Sequence, residues 1–229
     1  RPAIIFIGDY HLTTYPAWAP GGERMVIPYG IPDMFRHAEP AKTAPGPRAV
    51  FTSNPLRSLD WLLDRWVEEI RPNSPQAELH VFSGAATYGS VGDGKARQMD
   101  TILERVRELS GHGVVLRGPV AKAQLVEEFS HARVLLYRGD LNETFCLAVG
   151  EAQAMGVPAV VENLGSVPER VIDGSTGFVV ANEGDFSRSA VQLLNDEDLW
   201  RSQNSKALDQ QRRWGWPQAA GEFEKLIAG

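Results

Sequence analysis

The sequence predicts an α/β fold, a Rossmann-like parallel sheet of about six strands with helices on both faces. Short apolar runs of the length of buried strands alternate along the chain with segments whose apolar residues recur at helical spacing. These runs are apolar almost throughout rather than at every second position, which is typical of strands covered on both faces. Alternating strands and helices favour parallel pairing through right-handed crossovers. We therefore expect the ligand site beyond the carboxyl ends of the strands.

The order of the elements follows from the positions of the apolar residues. In segment 56–70, for example, Leu59, Leu63, Trp66 and Ile70 recur every three or four residues. Pro72 and Pro75 are expected to stop that helix. Strands are predicted at 3–7, 25–27, 49–52, 79–82, 114–116, 134–137, 158–161 and 177–180. Helices are predicted at 56–70, through 99–109, at 121–131, at 144–155 and near 167–172, followed by two or three more.

Composition is typical of a globular protein and excludes several other classes. The 229 residues are 43% hydrophobic and 23% charged, which excludes a wholly disordered chain. The net charge of −6 argues against a nucleic-acid partner, because such binders usually carry a basic excess. The single cysteine, Cys146, excludes an internal disulfide and fits a reducing, cytoplasmic location. No apolar run approaches the roughly 20 residues of a membrane span. The chain begins with Arg1 and enters an apolar run at once, so we expect a missing segment upstream.

The segment Gly89–Ala96 nearly matches a phosphate-binding P-loop. It has the spacing G-x4-G-K, but Ala96 stands where the motif needs a Ser or Thr to bind Mg²⁺. The connection from Ser83 to Lys95 is also long, so we interpret it as a flexible link between a strand and a helix. The fingerprint G-x-G-x-x-G is absent from the first strand-to-helix turns, which argues against a nicotinamide-dependent dehydrogenase.

The most unusual segment, 142–156, follows a buried strand and carries two glutamates in mostly apolar sequence. Asn142 or Glu143 is expected to cap the helix 144–155. Glu151 falls inside that helix, and a buried carboxylate is costly unless a partner binds it. The two glutamates are eight positions apart, so about 12 Å would separate them along one helix axis.

This spacing suits a nucleoside diphosphate sugar. The free N–H groups at a helix start attract phosphate, and a carboxylate can accept hydrogen bonds from the hydroxyls of a sugar or a ribose. Two alternatives remain open at this point. Glu143 as a solvated cap and Glu151 as a structural ion pair with an arginine or lysine would explain the same residues.

The double-glutamate segment resembles the signature of retaining glycosyltransferases of family 4, which have the GT-B fold. The resemblance rests on the E-x7-E motif of Glu143 and Glu151 and on the sequence that follows, 151–161. Further matches lie in the family's order at 26–31, 116–120, 165–171, 173–179 and 214–216. The chain departs from the family's usual residues at Tyr29 and at Tyr137-Arg138.

The resemblance implies a domain organisation and site roles. Residues 1–40 would be the end of an acceptor-side domain with an interdomain segment, 41–213 a nucleotide-sugar-binding domain, and 214–229 a closing helix. Glu143 would contact the donor sugar as the catalytic residue, and Glu151 would hold the ribose. The remaining contacts would come from Arg57 to the diphosphate, from Gly118 and Val120 to the base, and from the backbone amides of Thr144, Phe145, Cys146 and Leu147 to the diphosphate.

The implied activity is transfer of a sugar, with retention of configuration, from a nucleotide-activated donor. The acceptor, a saccharide or a lipid-linked saccharide, would be held by a missing N-terminal domain, so the chain alone is expected to be inactive. No metal or other cofactor is expected, and the histidines lack ligand spacing. Basic residues near the C-terminus indicate either a solvated face or a peripheral contact with a membrane surface or another domain; these are Arg201, Lys206, Arg212 and Arg213.

Two rival functions remain. One is a non-catalytic module that keeps the fold and serves for sugar-nucleotide binding or for interaction with a partner. It is favoured by the neutral segment 53–55, where the family often has a second basic residue. The other is a sugar-nucleotide epimerase of similar architecture, which the double-glutamate motif disfavours.

Overall fold

The computed structural model describes residues 1–84 and 89–228, and six parallel strands form its central sheet. The strands are β1 (Ile4–Phe6), β2 (Arg24–Val26), β3 (Arg48–Phe51), β4 (Glu78–Val81), β5 (Val114–Leu116), β6 (Val134–Leu136), β7 (Ala159–Glu162) and β8 (Gly177–Val180). The sheet order is β5-β4-β3-β6-β7-β8, and every neighbouring pair is parallel. Each predicted strand is present, within one residue at either end.

Helices cover both faces of this sheet. They are α1 (Asp9–Thr14), α2 (Asp33–Arg36), α3 (Leu59–Arg65), α4 (Arg71–Asn73), α5 (Gly89–Glu108), α6 (Lys122–Ser130), α7 (Leu147–Ala154), α8 (Glu183–Asn195), α9 (Glu197–Gln211) and α10 (Trp216–Ala228). Helices α3, α5 and α8 lie on one face and α2, α6 and α7 on the other, while α9 contacts both α7 and α8. The predicted fold class is therefore confirmed.

The strand order reverses between β3 and β6, which lie side by side at the centre of the sheet. Successive strands run outward from β3 in one direction and outward from β6 in the other. The centre is fully buried, as Val50 on β3, Leu135 on β6 and Val160 on β7 show. In such sheets the crevice at the point of reversal, beyond the carboxyl ends of the two strands, is the usual ligand site.

The helix predicted at 56–70 begins and ends later than expected. It starts as α3 at Leu59, passes through a π-helical turn at Trp66–Ile70 and continues as α4 to Asn73. Pro72 does not stop the helix, because it lies inside α4. The helix ends at Asn73, two residues before Pro75. The predicted short helix near 167–172 is a 3₁₀ turn at Val167–Arg170.

The prediction of a helix over 144–155 was wrong at its start. Helix α7 begins at Leu147, and its N-cap residue is Cys146 rather than Asn142 or Glu143. The reason is a turn built on Asp140, whose carboxylate accepts a hydrogen bond from the N–H of Asn142. The Glu143 N–H donates to the carbonyl of the same aspartate, which holds Glu143 in the loop ahead of α7. The two glutamates therefore do not share one helix.

The flexible connection predicted up to Lys95 was also wrong in part. Helix α5 already begins at Gly89, anchored further along by the buried side chains of Met99, Leu103 and Val106. Residues 85–88 of the predicted connection lie outside the described residues. The G-x4-G-K segment is thus part of the helix itself, whereas a P-loop wraps phosphate ahead of a helix, so its rejection is confirmed.

The first forty residues contact the sheet domain closely. Strands β1 and β2 form a separate parallel pair, while α2 packs against α6 and α7 with Phe35 fully buried. The segment before α10 returns to the same region, where the indole N–H of Trp214 donates to the carbonyl of Pro28 at 3.1 Å. The domain boundaries at 40 and 213 stay predictions. In the described parts of the chain, no helix has the length and apolar character needed to cross a membrane.

Candidate functional site

Two of the predicted site residues meet at the point where the strand order reverses. Arg57 lies after β3 and Glu143 after β6, and the Arg57 guanidinium forms an ion pair with Oε2 of Glu143 across 86 positions of sequence. The hydroxyl of Tyr137, which directly follows β6, donates to the same oxygen at 2.9 Å. The Glu143 side chain is 14% exposed and that of Arg57 33%, so both can be reached from solvent.

Strained backbone marks both walls of this crevice. Ser58 (φ 62°) and Cys146 (φ 59°) are the non-glycine residues with left-handed backbone in the portion that the structure describes. Each is the N-cap residue of a helix, α3 after β3 and α7 after β6. Such conformations cost about 1–3 kcal/mol each and cluster at functional sites. The helix starts on both sides of the reversal point thus share this unusual backbone.

The start of α7 offers a site for an anion. Among the described residues, no side chain caps its first turn, in contrast to α8 and α9, whose N–H groups are bound by Asn182 and Asp196. Free N–H groups and the helix dipole favour negative charge there. Of the segment expected to face a diphosphate, Leu147 is the first residue of the helix, and Cys146 occupies the N-cap position without a side-chain hydrogen bond to the helix. Thr144 and Phe145 precede it in the loop.

Side chains of this segment serve packing. Phe145 is buried, with the Arg170 guanidinium 4.4 Å from its ring centre and the Tyr29 ring 5.3 Å away. Burial raises the pKa of the Cys146 thiol to about 11, so it stays a neutral thiol at physiological pH. The segment can therefore offer a ligand its backbone amides, as the sequence predicts, but not a thiolate.

Glu151 is buried on α7, 5% exposed, and its Oε1 is bound by the ammonium group of Lys122 at the start of α6. Burial raises the pKa of Glu151, while Lys122 acts in the opposite direction. The ion pair with a lysine, the alternative to a ribose contact, is therefore present, and the ribose role stays a prediction. Lys122 itself is half exposed, so a ligand can displace it without burying a free ammonium group. Lys122 was not predicted as a site residue. Its position two residues after Val120, which was expected to contact the base, could have indicated it.

The segment predicted to contact the base adjoins this pair. Gly118 has left-handed backbone (φ 69°) in the loop after β5, and Val120 is half-buried two residues before Lys122. The loop after β4 lies close to the loop after β5, because a Cβ atom on Gly84 would come 2.8 Å from the ring of Pro119. The residues expected to contact the base, the ribose and the diphosphate thus lie along one edge of the sheet, and their roles stay predictions.

The N-terminal residues cover part of the same edge. The Tyr10 hydroxyl donates to the carbonyl of Leu141 at 2.7 Å, and its backbone N–H donates to the Glu169 carboxylate. A Cβ atom on Gly8 would come 3.3 Å from the carbonyl of Thr144. The turn after β1 therefore contacts the loop that carries Glu143.

A comparison with protein families decides which family the chain belongs to. The model of the family described as glycosyl transferases group 1 matches residues 46–196, well over half of the chain. The chain belongs to this family. The matched range includes the loops after β3, β5 and β6, and with them every residue predicted to touch the donor.

Curated members of the family resemble the chain over part of their length. D-inositol 3-phosphate glycosyltransferase of Corynebacterium aurimucosum is 30% identical over 171 residues, which are 73% of this chain and 39% of that protein. N-acetyl-alpha-D-glucosaminyl L-malate synthase of Bacillus anthracis is 34% identical over 119 residues, 51% of this chain and 30% of that protein. The chain thus matches well under half of the length of these relatives.

Solved structures share the fold. HepE of Anabaena, solved in complex with UDP and glucose, superposes with a TM-score of 0.79 at 16% identity, over 98% of this chain and 62% of that one. Sucrose-phosphate synthase of Thermosynechococcus elongatus gives a TM-score of 0.76 at 20% identity, over 99% of this chain and 57% of that one. At this level of identity the likeness confirms the fold alone.

Metal ligands were not expected, and the structure adds one observation. Among the side chains that the structure describes, no three from His, Cys, Asp or Glu converge in a way that could hold a metal ion. The expectation of metal-free binding stays a prediction.

Proposed function

We propose that the chain is the donor-binding half of a retaining glycosyltransferase and binds a nucleotide-activated sugar. The observation that carries this proposal is the meeting of Arg57 and Glu143 at the reversal point, beside the uncapped start of α7. A cation, a carboxylate and free helix N–H groups at one place suit a diphosphate linked to a sugar. Membership of the family and the names of its curated relatives support sugar transfer as the activity.

The geometry suggests how the groups divide the donor. The diphosphate lies at the start of α7, where it attracts the Arg57 guanidinium away from Glu143. The freed Glu143 carboxylate accepts hydrogen bonds from the sugar. Charge that develops on the leaving diphosphate is stabilised by Arg57 and by the helix dipole, both in place before the reaction. Glu151 accepts ribose hydroxyls through the oxygen that Lys122 leaves free, and the base lies along Gly118 to Val120.

The acceptor contacts a different part of the enzyme in this proposal. A saccharide or lipid-linked acceptor is held by a further domain, in the cytoplasm or at a membrane surface. Correct positioning of the acceptor supplies much of the rate in bimolecular transfer. The 229-residue chain is therefore expected to bind the donor and to transfer nothing.

A second candidate function, a non-catalytic module of the same fold, is favoured by one observation. The loop after β3 carries no cation ahead of Arg57: the Ser53 carbonyl accepts from the Ser83 hydroxyl at 2.5 Å, and the Asn54 side chain accepts from the Leu56 N–H at 2.9 Å. A diphosphate thus meets one arginine from this loop. The affinity of the chain for nucleotides is therefore the property to measure.

Calorimetric titration with UDP, ADP, GDP and UDP-glucose, each with Mg²⁺ and with a chelator, tests the proposal. We expect a dissociation constant of roughly 0.1–1 mM for at least one nucleotide, about −4 to −5.5 kcal/mol, unchanged by the chelator. Arg57→Gln should weaken this binding about tenfold or more. Arg105→Gln, which removes an arginine that is one-third exposed like Arg57 and paired with Asp60 and Asp64, is the matched control and should bind normally. No binding at millimolar concentration favours the non-catalytic module, and strict metal dependence contradicts the proposed diphosphate site.

A further inference from the structure

The hydroxyl of Tyr137 makes an unusual contact for a core aromatic residue. The ring is buried, 2% exposed, with the centre of the Phe51 ring 6.1 Å away. Its hydroxyl nevertheless reaches the crevice and donates to Oε2 of Glu143 at 2.9 Å. Arg57 binds the same oxygen. Two donors therefore converge on Oε2, and the structure records neither on Oε1.

The two donors differ in what a ligand does to them. Arg57 is one-third exposed and lies where the proposed function places a diphosphate, so the incoming phosphates compete with Glu143 for its guanidinium. Tyr137 is immobilised by its packing and has no such competitor. Burial raises the pKa of its phenol above the usual value, so the hydroxyl remains a protonated donor across the neutral range. When Arg57 turns to the diphosphate, the Tyr137 hydrogen bond is the contact that stays.

We propose that Tyr137 is a positioning residue that keeps the Glu143 carboxylate aimed at the donor sugar after Arg57 has moved to the diphosphate. The proposal rests on the proposed function and names a part of the same site. With Oε2 held by the hydroxyl, Oε1 is left to accept a hydrogen bond from the sugar. Tyr137 itself touches neither sugar nor nucleotide. Its contribution is therefore specific for ligands that contain the sugar.

The Tyr137→Phe variant removes the hydroxyl and keeps the ring, so it separates positioning from packing. The dissociation constants of UDP and UDP-glucose are measured by calorimetry for the 229-residue chain, or those of the ADP or GDP pair if that nucleotide binds more tightly. We expect UDP affinity within twofold of the parent and UDP-glucose affinity reduced about fivefold to tenfold. Tyr15→Phe, which removes a hydroxyl that donates to the carbonyl of Pro20, is the matched control and should change neither affinity.

A double-mutant cycle with Glu143→Gln shows whether the hydroxyl acts through this carboxylate. In the Glu143→Gln background, Tyr137→Phe should have no further effect on UDP-glucose binding. An equal loss for UDP and UDP-glucose, an unchanged UDP-glucose affinity, or full additivity with Glu143→Gln would each overturn the proposal. A parent chain that binds none of the nucleotides overturns the proposed function instead.

A second measurement needs no variant. In a crystal structure of the parent chain with UDP-glucose, we expect Arg57 on the diphosphate and the Tyr137 hydroxyl still within hydrogen-bond distance of Glu143. If Tyr137→Phe does not fold, this structure decides the matter. Loss of the contact between Tyr137 and Glu143 in the complex would refute the positioning role.

Discussion

Replacing Glu151 by glutamine should separate ligand binding from folding. The residue is buried on α7 and is bound through one oxygen to Lys122, which is half exposed. Glutamine has the same shape but no charge. The exposed ammonium group can return to water, so the substitution does not strand a buried charge, the usual reason why breaking a buried ion pair destabilises a protein.

The expected magnitudes follow from the environment of the carboxylate. A hydrogen bond from a ribose hydroxyl to a charged group is worth about 1.5–3 kcal/mol, so Glu151→Gln should weaken nucleotide binding roughly 10-fold to 150-fold. Folding should respond in the opposite direction. Burial raises the pKa of Glu151 in the folded state, so the parent loses stability as pH rises from the ordinary carboxyl range through the raised value. The glutamine variant lacks this loss and should be at least as stable as the parent at pH 7.5, with a smaller difference at pH 4.5.

Calorimetry with the best-bound nucleotide and thermal denaturation at pH 4.5 and 7.5 measure both effects. Glu69→Gln is the matched control, because Glu69 is paired with Arg65 in the π-helical turn, away from the carboxyl edge of the sheet. It should leave nucleotide affinity unchanged. If Glu151→Gln binds nucleotide as tightly as the parent, the ribose assignment is wrong. If it melts well below the parent at pH 7.5, its pair with Lys122 is a structural one.

Three further results are expected. Gly165→Ala should lower the melting temperature, since Gly165 has left-handed backbone (φ 59°) and a Cβ atom would come 2.2 Å from the carbonyl of Asp140; an unchanged melting curve would contradict the close approach. The Cys146 thiol should react with a disulfide reagent at pH 8 at least a hundredfold faster after denaturation, because burial in the folded protein raises its pKa to about 11. Rapid reaction of the native protein would show that this thiol is accessible to solvent. Lys122→Met should destabilise the protein more at pH 7.5 than at pH 5, because it leaves the buried Glu151 unpaired. Equal losses at both pH values would show that Glu151 is uncharged in the parent.

The strands were predictable from sequence because their signal is local. A run such as 134–136 is apolar throughout and has the length of a strand, and no distant residue is needed to recognise it. Helix starts were less predictable. Helix α7 begins three residues later than expected because the turn at Asp140 and the left-handed Cys146 override the apolar pattern. Helix α5 begins at Gly89, earlier than expected, although glycines are poor helix formers.

The positions of the site residues along the sheet edge were predictable from sequence, but the residues with which they pair were less so. Arg57 and Glu143 were expected at the same edge because both follow strands. Their ion pair, however, depends on β3 and β6 being neighbours, which the order of elements along the chain does not determine. The contact between Lys122 and Glu151 depends in the same way on how α6 and α7 pack. Tyr137 could be recognised as a departure from the family, but its role depends on a hydroxyl direction that no sequence pattern encodes.

Because the strand order reverses at the crevice, the two walls of the crevice come from two separate stretches of the chain. Residues 48–116 supply Arg57 and one wall, while residues 122–180 supply Glu143, Glu151 and the other. Neither piece contains a complete donor site, and β3 and β6 come together only through pairing that spans more than eighty residues. A nucleotide that binds both walls must stabilise their association by mass action. A chain cut between β5 and α6 should therefore reassemble more readily in the presence of its ligand, which makes the fold suitable as a split reporter for nucleotide sugars.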